Sequence, residues 1–486
     1  MKSETITVIQ SNNVRYPKVM TFRPSTSYPE YPFDKDLSEE KNDVYELVRE
    51  TLMSAGYDKE HYGLDIWNPL GSIIKKGDNV VLKPNLVMHV NKSGDTEDCL
   101  YTHPSVVAAI IDFVIIALNG SGKIVVGDAP MQDCNFNILV QNSGYLELIE
   151  YYKSKGIDIC LVDFRELSSY VKNGIRYNII NDHAHGKVID LKNNSEFASY
   201  NGQHLNDLRI TNYDPNILNI HHCDGKHEYY ISDYILNADV IINIPKPKTH
   251  RKAGVTISLK NMIGVNVRKE YLPHHCIGSL SEGGDEYKKR NFFKRVEAKL
   301  YDRINIANAD LKHLKVIALK IILKINHQFV KLDTDVYSEG SWYGNKTISK
   351  TISDVNKILM FADKDGNMKD EKQRNMLIIA DMIIAGEKEG PLLPNKKEIG
   401  AIAIGVDPVA FDRVIATLMG MDIEKIPTLE QVRSMSNKYN FYNDFMPMIN
   451  SNNKNWNNKK ISEIGYENTW KFIPSEGWKG HIELTR

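Results

Sequence analysis

The sequence predicts an α/β protein with mostly parallel sheets flanked by helices in two lobes, interrupted by an antiparallel insertion and a helical insertion. Three observations support this fold class. Short apolar segments alternate with helical patterns between residues 79 and 162, which is typical of a parallel sheet. Each apolar segment ends in a polar loop, as strands of such sheets do. The length of 486 residues, with 42% hydrophobic content, can bury more than one lobe.

The elements of the first part of the chain follow from local patterns. Pro104 stands at a first helical position and apolar residues recur after it, at Val106, Val107, Ile110 and Ile111, so a helix is expected there. Glycines and prolines bound the short β-branched runs that predict strands. The expected order is a strand at 5–10, a helix at 39–55, a strand at 79–83, a helix from 104, a strand at 123–127, a helix at 138–155 and a strand at 157–162.

The remaining chain predicts two insertions and further α/β units. Short alternating segments indicate the antiparallel insertion, and long basic amphipathic patterns indicate the helical one. Strands are expected at 376–380 and 400–406, with an acidic loop at 385–391 and a helix capped by Asp407. The expected domains are an N-terminal extension at 1–76, an α/β lobe at 77–279 with an insertion at about 165–235, a helical insertion at 280–339, a second α/β portion at 340–425 and a polar C-terminal tail at 426–486.

Charge and motif content exclude several classes of protein. Lys and Arg number 61 against 62 Asp and Glu, so no nucleic-acid partner is expected. The apolar segment around 316–325 is interrupted by Lys320 and Lys324 and is too short to span a bilayer. The first residues are expected to form a strand and not a signal peptide. Neither a phosphate-loop nor a dinucleotide-binding glycine motif occurs, which argues against a kinase or a dehydrogenase.

The five cysteines are scattered singly and form no CxxC pair. No iron–sulfur cluster is therefore expected. The odd count without close pairs predicts a reducing, cytoplasmic location. The sequence leaves the oligomeric state open, and a homo-oligomer is compatible with it.

The residues that carry chemistry concentrate in the stretch 243–275, directly after an apolar run. His250 and Lys260 are the predicted catalytic residues, because a bend at Ala253-Gly254 can fold both towards one pocket. Lys260 continues an apolar stretch, so its amine can be desolvated and act as a base or an imine former. The alternative is an ordinary solvated lysine. Other cations of the stretch are expected to be solvated: Lys246, Arg251 and Lys252.

Polar residues at other predicted strand ends are expected to meet this stretch, because the carboxyl ends of parallel strands share one edge of a sheet. Amines and carboxamides there suit a carboxylate or phosphate ligand, and a helix amino terminus favours anions. The predicted substrate-binding residues are Lys83, Asn85, His103, Lys248, Asn261 and Glu387. The cofactor is left open, and for a divalent metal ion the predicted ligands are Asp128, His250, His274 and His275.

Seven short motifs occur in a recognisable order: Lys83-Pro84-Asn85, Thr102-His103-Pro104, Gly127-Asp128, Ala238-Asp239, Lys248-Thr249-His250, Lys260-Asn261 and Asp407-Pro408. Their order and spacing resemble the uncharacterised bacterial and archaeal family called domain of unknown function 362, over roughly residues 77–425. That resemblance implies no settled activity. Some members of the family append a ferredoxin-like cluster module, for which this chain lacks the cysteines.

A second resemblance concerns the nickel-pincer lactate racemases. Ala238-Asp239, His250, Ala253-Gly254, Lys260, Gly264-Val265 and His274 or His275 are similar in order and spacing to a segment of that family. The resemblance implies that the two histidines lie at a metal and substrate and that the lysine lies beside the cofactor. Ile257-Ser258-Leu259 and Ile263 depart from the racemase pattern, which argues against the pincer cofactor itself.

The leading functional hypothesis is an enzyme whose cleft of Lys, His and acidic residues binds a small anionic or hydroxylated substrate. Proton transfer next to a carbonyl group, with or without a divalent metal, would make it an isomerase of the racemase or epimerase kind. The competing hypothesis is a non-catalytic binding or assembly protein for a phosphorylated or carboxylated ligand. The sequence does not decide between an enzyme and a binding protein.

Overall fold

The computed structural model describes residues 5–18, 22–331 and 337–485. In this part of the chain, a large sheet of eleven strands is covered by helices on both faces. The central strand pairs are mostly parallel, and antiparallel pairs occur towards one edge and in the smaller sheets. The predicted fold class, α/β with a mostly parallel sheet flanked by helices, is therefore confirmed.

The strands fall in a large sheet, a three-stranded sheet and two two-stranded sheets. In chain order they are β1 Thr5–Gln10, β2 Asn79–Pro84, β3 Lys123–Asp128, β4 Ile159–Asp163, β5 Leu167–Lys172, β6 Ile175–Ile180, β7 Gly186–Asp190, β8 Leu208–Arg209, β9 His222–Cys223, β10 Lys226–Ser232, β11 Val240–Ile244, β12 Lys248–His250, β13 Gly254–Thr256, β14 His275–Cys276, β15 Asn375–Glu389, β16 Leu393–Gly405, β17 Met448–Ser451 and β18 Lys459–Lys460.

The helices mostly connect or cover these strands. In chain order they are α1 Asp43–Ser54, α2 Pro104–Leu118, α3 Phe136–Ser143, α4 Tyr145–Ser154, α5 Gly202–Asn206, α6 Pro215–His221, α7 Asp233–Leu236, α8 Ser258–Asn261, α9 Phe292–Ala309, α10 His313–Val330, α11 Thr347–Phe361, α12 Pro408–Leu418 and α13 Pro427–Arg433. As predicted, α2 and α12 begin with proline, and Asp407 caps α12 by accepting hydrogen bonds from the Val409 and Ala410 backbone N–H groups.

The strand order along the main path of the large sheet is β18-β17-β1-β16-β15-β11-β2-β3-β4. β11 lies between β2 and β15 and is parallel to both. Asn243 of β11 stands opposite Lys83 of β2, and β3 continues the parallel arrangement. The carboxyl ends of β2, β3 and β11 therefore meet at one edge, where ligands bind in sheets of this kind.

The alternation of side chains in β11 shows how the sheet is buried on both faces. Val240, Ile242 and Ile244 pack in one apolar cluster with side chains of α1, α2, α3 and α4. Ile241 packs in a second cluster with side chains of α11, α12 and α13. Successive strand residues point to opposite faces, so a continuous apolar run is needed when both faces are covered.

A predicted helix, a predicted strand and a predicted loop differ from the structure. The single helix expected at 138–155 is two helices, α3 and α4, because Gly144 between them has a φ of 88° and a left-handed residue ends a helix. The strand expected at 376–380 is the much longer β15, which pairs with β16 through to Glu389. The acidic loop expected at 385–391 was therefore wrong, because its residues up to Glu389 belong to this hairpin.

The regions outside the central strands also contribute to the large sheet. β1 lies between β16 and β17, and β17 pairs with β18 near the C-terminal end. The predicted antiparallel insertion contains the β5–β6 hairpin and the β7-β10-β9 sheet. The predicted helical insertion contains α9 and α10, and its residues 332–336 lie outside the described residues, as do 1–4, 19–21 and 486.

No helix in the described ranges is both long enough and apolar enough to cross a bilayer.

Candidate functional site

The cation-rich stretch folds as a short hairpin just beyond the end of β11. β12 and β13 pair antiparallel, with His250 opposite Gly254. Gly254 has a φ of 77°, and a Cβ atom there would lie 2.8 Å from Ile482 Cδ1, so glycine permits this close approach. β12 also pairs in parallel with β15 through Lys248 and Gly386. The hairpin is thereby fixed to the large sheet.

A cavity of about 240 Å³ lies beside this hairpin, at the edge where the carboxyl ends of β2 and β3 meet. Lys and Arg side chains outnumber carboxylates in its lining, so its field favours anions. The cations are Lys83, Lys92, Arg251, Lys252, Lys260 and Lys269, and the carboxylates are Asp128 and Asp133.

The cavity brings together most of the residues expected to share a site. The two predicted catalytic residues both line it, although they are ten positions apart in the chain. The predicted site residues in its lining are Lys83, Asn85, Asp128, His250, Lys260, Asn261 and His274. Their roles stay predictions, since a shared cavity establishes proximity and not activity.

One part of the lining is a buried ion pair between neighbouring strands. Lys83 Nζ lies 2.7 Å from Asp128 Oδ1. The other carboxylate oxygen accepts a hydrogen bond of 2.6 Å from the Leu86 backbone N–H, and Ala129 N–H donates to Asp128 as well. A Cβ atom on Gly264 would lie 2.0 Å from Asp128 Oδ1. Glycine is therefore required for the chain to pass this close to the ion pair.

A network of carboxamides lies next to the ion pair. Asn261 Oδ1 accepts hydrogen bonds from Lys83 Nζ at 3.1 Å and from Asn85 Nδ2 at 2.9 Å. Asn261 Nδ2 donates to Asn243 Oδ1 at 2.8 Å. Lys248 Nζ donates to Asn85 Oδ1 at 2.7 Å. Each of these buried polar groups is satisfied by protein partners, which holds the wall of the cavity in one arrangement.

The two histidines of the cavity are held in opposite tautomers. His250 Nδ1 accepts hydrogen bonds of 3.0 Å from the backbone N–H groups of Lys252 and Ala253. The proton of the neutral His250 ring is therefore on Nε2. His274 Nδ1 lies 2.6 Å from the Leu272 carbonyl oxygen, to which it must donate, so its Nε2 carries a lone pair. His250 Nε2 can donate a hydrogen bond to a ligand, and His274 Nε2 can accept one.

Burial keeps both imidazoles neutral. Desolvation, followed by the nearby Lys260 ammonium, holds the pKa of His250 well below its usual range. Desolvation, followed by the Lys252 and Lys260 ammonium groups, does the same to the pKa of His274. Both rings are therefore uncharged at neutral pH, which is the form in which the two tautomers are distinct.

Burial lowers the pKa values of three lysine amines in the cavity towards neutral pH. Burial, and then the Lys83 ammonium, lower the pKa of Lys260 to about 8. Burial lowers the pKa of Lys252 to about 8 and that of Lys269 to about 7. Among the described residues, Lys260 Nζ has no hydrogen-bond or ion-pair partner. Its amine is therefore available to a ligand, either as a cation or as a base.

The residues predicted to bind a metal ion are not arranged as a metal centre. Within the part of the chain that the structure describes, no three His, Cys, Asp or Glu side chains converge as metal ligands would. The lone pair on His250 Nδ1 is already used by two backbone donors, and the Asp128 oxygens by Lys83 and two backbone N–H groups. A metal ion would have to compete with these partners, and the metal site stays a prediction.

Four predicted site residues lie away from the lining of the cavity. His103 caps α2, with its ring stacked on Tyr16 at 3.9 Å. Lys248 is not in the lining, and its amine donates a hydrogen bond to Asn85 Oδ1, a residue that is. Glu387 pairs with Lys397 at 3.3 Å. His275 lines a separate cavity of about 30 Å³.

The prediction that Lys246 and Lys252 are solvated was wrong. Lys246 is fully buried and pairs with Asp381 at 2.7 Å. Lys252 is buried, and its amine donates to Thr211 Oγ1 at 2.7 Å. Short loops that follow a buried strand can themselves be covered by the rest of the chain, which residue type alone does not reveal. Arg251 is partly exposed and pairs with Glu339 at 3.5 Å.

Lys269 is a cavity residue that the sequence interpretation missed. It follows the short α8 segment, and its amine donates to the Ala129 carbonyl oxygen at 2.7 Å. The available signal was its position inside the cation-rich stretch, a few residues after Gly264. A glycine can mark a point where the chain passes close to another segment, so a lysine that soon follows it is a candidate for the same pocket.

Comparison with known families agrees with the order of motifs. The family model called domain of unknown function (DUF362) matches residues 80–189 and 168–417. The chain belongs to the DUF362 family. The matched residues include β2, β3, the β12–β13 hairpin and α12, and thus most of the cavity lining. The resemblance to nickel-pincer lactate racemases stays a prediction.

One curated relative of this DUF362 protein is named a thylakoid-associated protein, from Synechocystis sp. The two are 30% identical over 195 residues, which are 40% of this chain and 41% of the relative. The match thus spans less than half the length of the relative, and its name gives an association and not a reaction. No solved structure matches the chain.

Proposed function

We propose that this DUF362 protein is an enzyme that binds a small anionic or hydroxylated substrate in the cationic cavity and moves a proton to or from it. The observation that carries the proposal is the unpaired amine of Lys260, in a lining that also contains His250 and His274. A lysine with a pKa of about 8 can change its protonation state near neutral pH, as a general acid or base must.

Substrate binding rests on the charges of the lining. Because Asp128 neutralises Lys83, the net positive field comes from the remaining cations. Among them, Lys252, Lys260 and Lys269 have amines that burial has partly stripped of water. A carboxylate or phosphate entering the cavity would restore the charged state of these amines. The Thr211 hydroxyl and Asn212 carboxamide in the lining offer partners for substrate hydroxyl groups.

Proton transfer rests on Lys260 and the two tautomers. The neutral amine of Lys260, with a pKa of about 8, can take a proton from a carbon next to a carboxylate, and the His250 Nε2–H can donate a hydrogen bond to the oxygen on which negative charge develops. The His274 Nε2 lone pair can accept a hydrogen bond from a substrate hydroxyl group and so hold the carbon beside the amine. The Lys260 ammonium formed in this step is the acid that returns a proton to the carbon, as racemisation or epimerisation requires. No step of this proposal involves a metal ion.

Binding of simple anions tests the cavity. Calorimetric titration with sulfate, phosphate and 2-hydroxy acids should detect binding, and Lys260→Met should weaken it at least about tenfold, the loss of one charge-assisted contact. The matched control is Lys76→Met, which removes an exposed lysine and should leave the affinity unchanged. Equal affinities for the wild type, Lys260→Met and Lys76→Met would contradict the proposed site.

The wider setting belongs to the same proposal. The five cysteines are free thiols, which supports the cytoplasmic location predicted from the sequence. The association stated in the name of the Synechocystis relative is compatible with an enzyme that works beside a membrane. The predicted homo-oligomer stays a prediction.

A further inference from the structure

The helix α10 packs against α9 through one narrow apolar stripe. Val316 and Leu319 are buried and form a small cluster with Leu300 and Ile304 of α9. Val330, farther along α10, is buried as well. These α10 residues recur at helical spacing and lie on one side of the helix. In a helix that is otherwise solvated, the opposite side is expected to be polar.

The opposite side of α10 is apolar instead. We call this surface the outer face; it comprises Leu314, Ile317, Ile321, Ile322, Ile325 and Phe329, all exposed. Leu314 is 85% exposed, and Ile321 and Ile325 are each 58% exposed. At 100° per residue these positions form a continuous arc roughly opposite Val316 and Leu319. An exposed apolar surface of this kind marks a binding surface.

Neighbouring elements add to the apolar surface. The β5–β6 hairpin contacts α10, because Lys320 Nζ donates to the Gly174 carbonyl oxygen and Tyr177 packs against His313. The same hairpin exposes large apolar side chains, namely Tyr170, Val171, Ile179 and Ile180. At the other end of α10, Phe329 stacks on Phe293 at 4.9 Å.

The charges around the outer face have one sign. Residues 292–331 contain nine Lys and Arg against three Asp and Glu, in a chain whose overall formal charge is -1. α10 itself has three lysines and no acidic residue. On the helical wheel, Lys315 borders the arc on one side, and Lys320 and Lys324 border it on the other. Lysines that flank an apolar arc can extend to a phosphate layer while the arc enters the acyl region.

We propose that the outer face docks on an anionic lipid bilayer, with α10 lying in the plane of the membrane surface. Its apolar side chains supply the hydrophobic contact and its flanking lysines supply the charge complementarity. A protein partner would need an acidic rim around an apolar groove as long as α10. A bilayer with anionic headgroups has a negatively charged surface above an apolar interior along the whole length of the helix. Docking on a bilayer requires no helix that spans it.

Vesicle sedimentation of the full-length protein tests the proposal. The wild type should sediment with phosphatidylcholine vesicles that contain phosphatidylglycerol, more weakly with phosphatidylcholine alone, and less as salt rises. Ile321→Glu/Ile325→Glu should lower the partition constant at least about tenfold, because two charges replace the centre of the apolar arc. The matched control is Leu64→Glu/Ile66→Glu, since these side chains are 49% and 60% exposed outside the outer face.

The outcomes separate a membrane from a second copy of the chain. Docking on lipid is supported if the Leu64→Glu/Ile66→Glu variant still sediments with the vesicles and the Ile321→Glu/Ile325→Glu variant does not. Both variants should unfold at the same temperature as the wild type. A wild type that stays in solution with both kinds of vesicle overturns the proposal. The proposal is also overturned if the wild type does not bind vesicles, is a dimer by light scattering and becomes a monomer in the Ile321→Glu/Ile325→Glu variant. That result would assign the outer face to self-association.

Discussion

At the residue scale, backbone groups decide what the cavity histidines can do. The Lys252 and Ala253 N–H groups fix the proton of His250 on Nε2, and the Leu272 carbonyl fixes the proton of His274 on Nδ1. The two rings therefore present a donor and an acceptor to the same cavity without a carboxylate partner. Such preorganised groups need no rearrangement when a ligand binds.

The lysine amines should make anion binding pH-dependent. Lys252 and Lys260 have a pKa of about 8, and Lys269 a pKa of about 7, so their charges are present below these values and lost above them. Sulfate keeps its charge, so its affinity should fall at least about tenfold between about pH 7 and about pH 9. Calorimetric titration across this range measures the change. An affinity for sulfate that is constant with pH would show that these amines do not hold it.

Part of the site was predictable residue by residue. His250 and Lys260 stood out because cations and imidazoles follow an apolar strand. Asp128 stood out because it follows another predicted strand, whose carboxyl end is expected at the same edge of the sheet. Glu387 and His103 were chosen by type and position, yet their partners, Lys397 and Tyr16, come from contacts that sequence spacing does not encode. Burial of Lys252 depends on a tertiary contact with Thr211, which is likewise invisible in the sequence.

At the element scale, a buried ion pair ties the loop after β11 to the long β15–β16 hairpin. Lys246 Nζ lies 2.7 Å from Asp381 Oδ2, and both side chains are fully buried. Asp381 also accepts hydrogen bonds from the Tyr16 hydroxyl and the His103 N–H. The pair therefore joins four segments beside the hairpin that presents His250.

Breaking this ion pair should destabilise the fold. Lys246→Met leaves a buried carboxylate without its cation and should lower the free energy of unfolding by about 3–5 kcal/mol. Lys246→Met/Asp381→Asn removes the charge but keeps an acceptor, so it should lose less. Urea unfolding measures both. Lys153→Met, which breaks an exposed pair with Glu150, is the control and should cost less than about 1 kcal/mol.

The comparison between Lys246→Met and the double variant decides the cause. If the double variant is as unstable as Lys246→Met alone, lost packing of the lysine stem and not an unpaired charge explains the effect.

Most elements, but not their extent, could be predicted from local patterns. β1 has the expected bounds because an apolar run and the polar residues after it define the strand. β15 is longer than its apolar core because the partner strand β16 extends it past Asp381, and pairing with a partner is a non-local property. The split between α3 and α4 depends on one residue, Gly144, whose left-handed conformation a glycine permits but does not require.

At the scale of the whole molecule, the fold places two different surfaces near each other. The cationic cavity lies at the carboxyl ends of β2 and β3, and the segment 210–213 lines it. Residues 210–212 also line a small cavity against α9, which packs with α10. The segment 210–212 and α9 thus lie between the ligand site and α10, which carries the proposed membrane-docking face. This arrangement suits an enzyme that acts close to a membrane surface.

The most direct test of the central claim is proton exchange in the cavity. The 2-hydroxy acids that bind should be incubated with the protein in D2O. Proton NMR then follows the hydrogen on the carbon next to the carboxylate. The wild type and the Lys76→Met variant should exchange this hydrogen for deuterium. In the Lys260→Met and His274→Gln variants the exchange rate should be at least about 100-fold lower. A wild type that binds these acids but exchanges no proton would contradict the account and identify a binding protein.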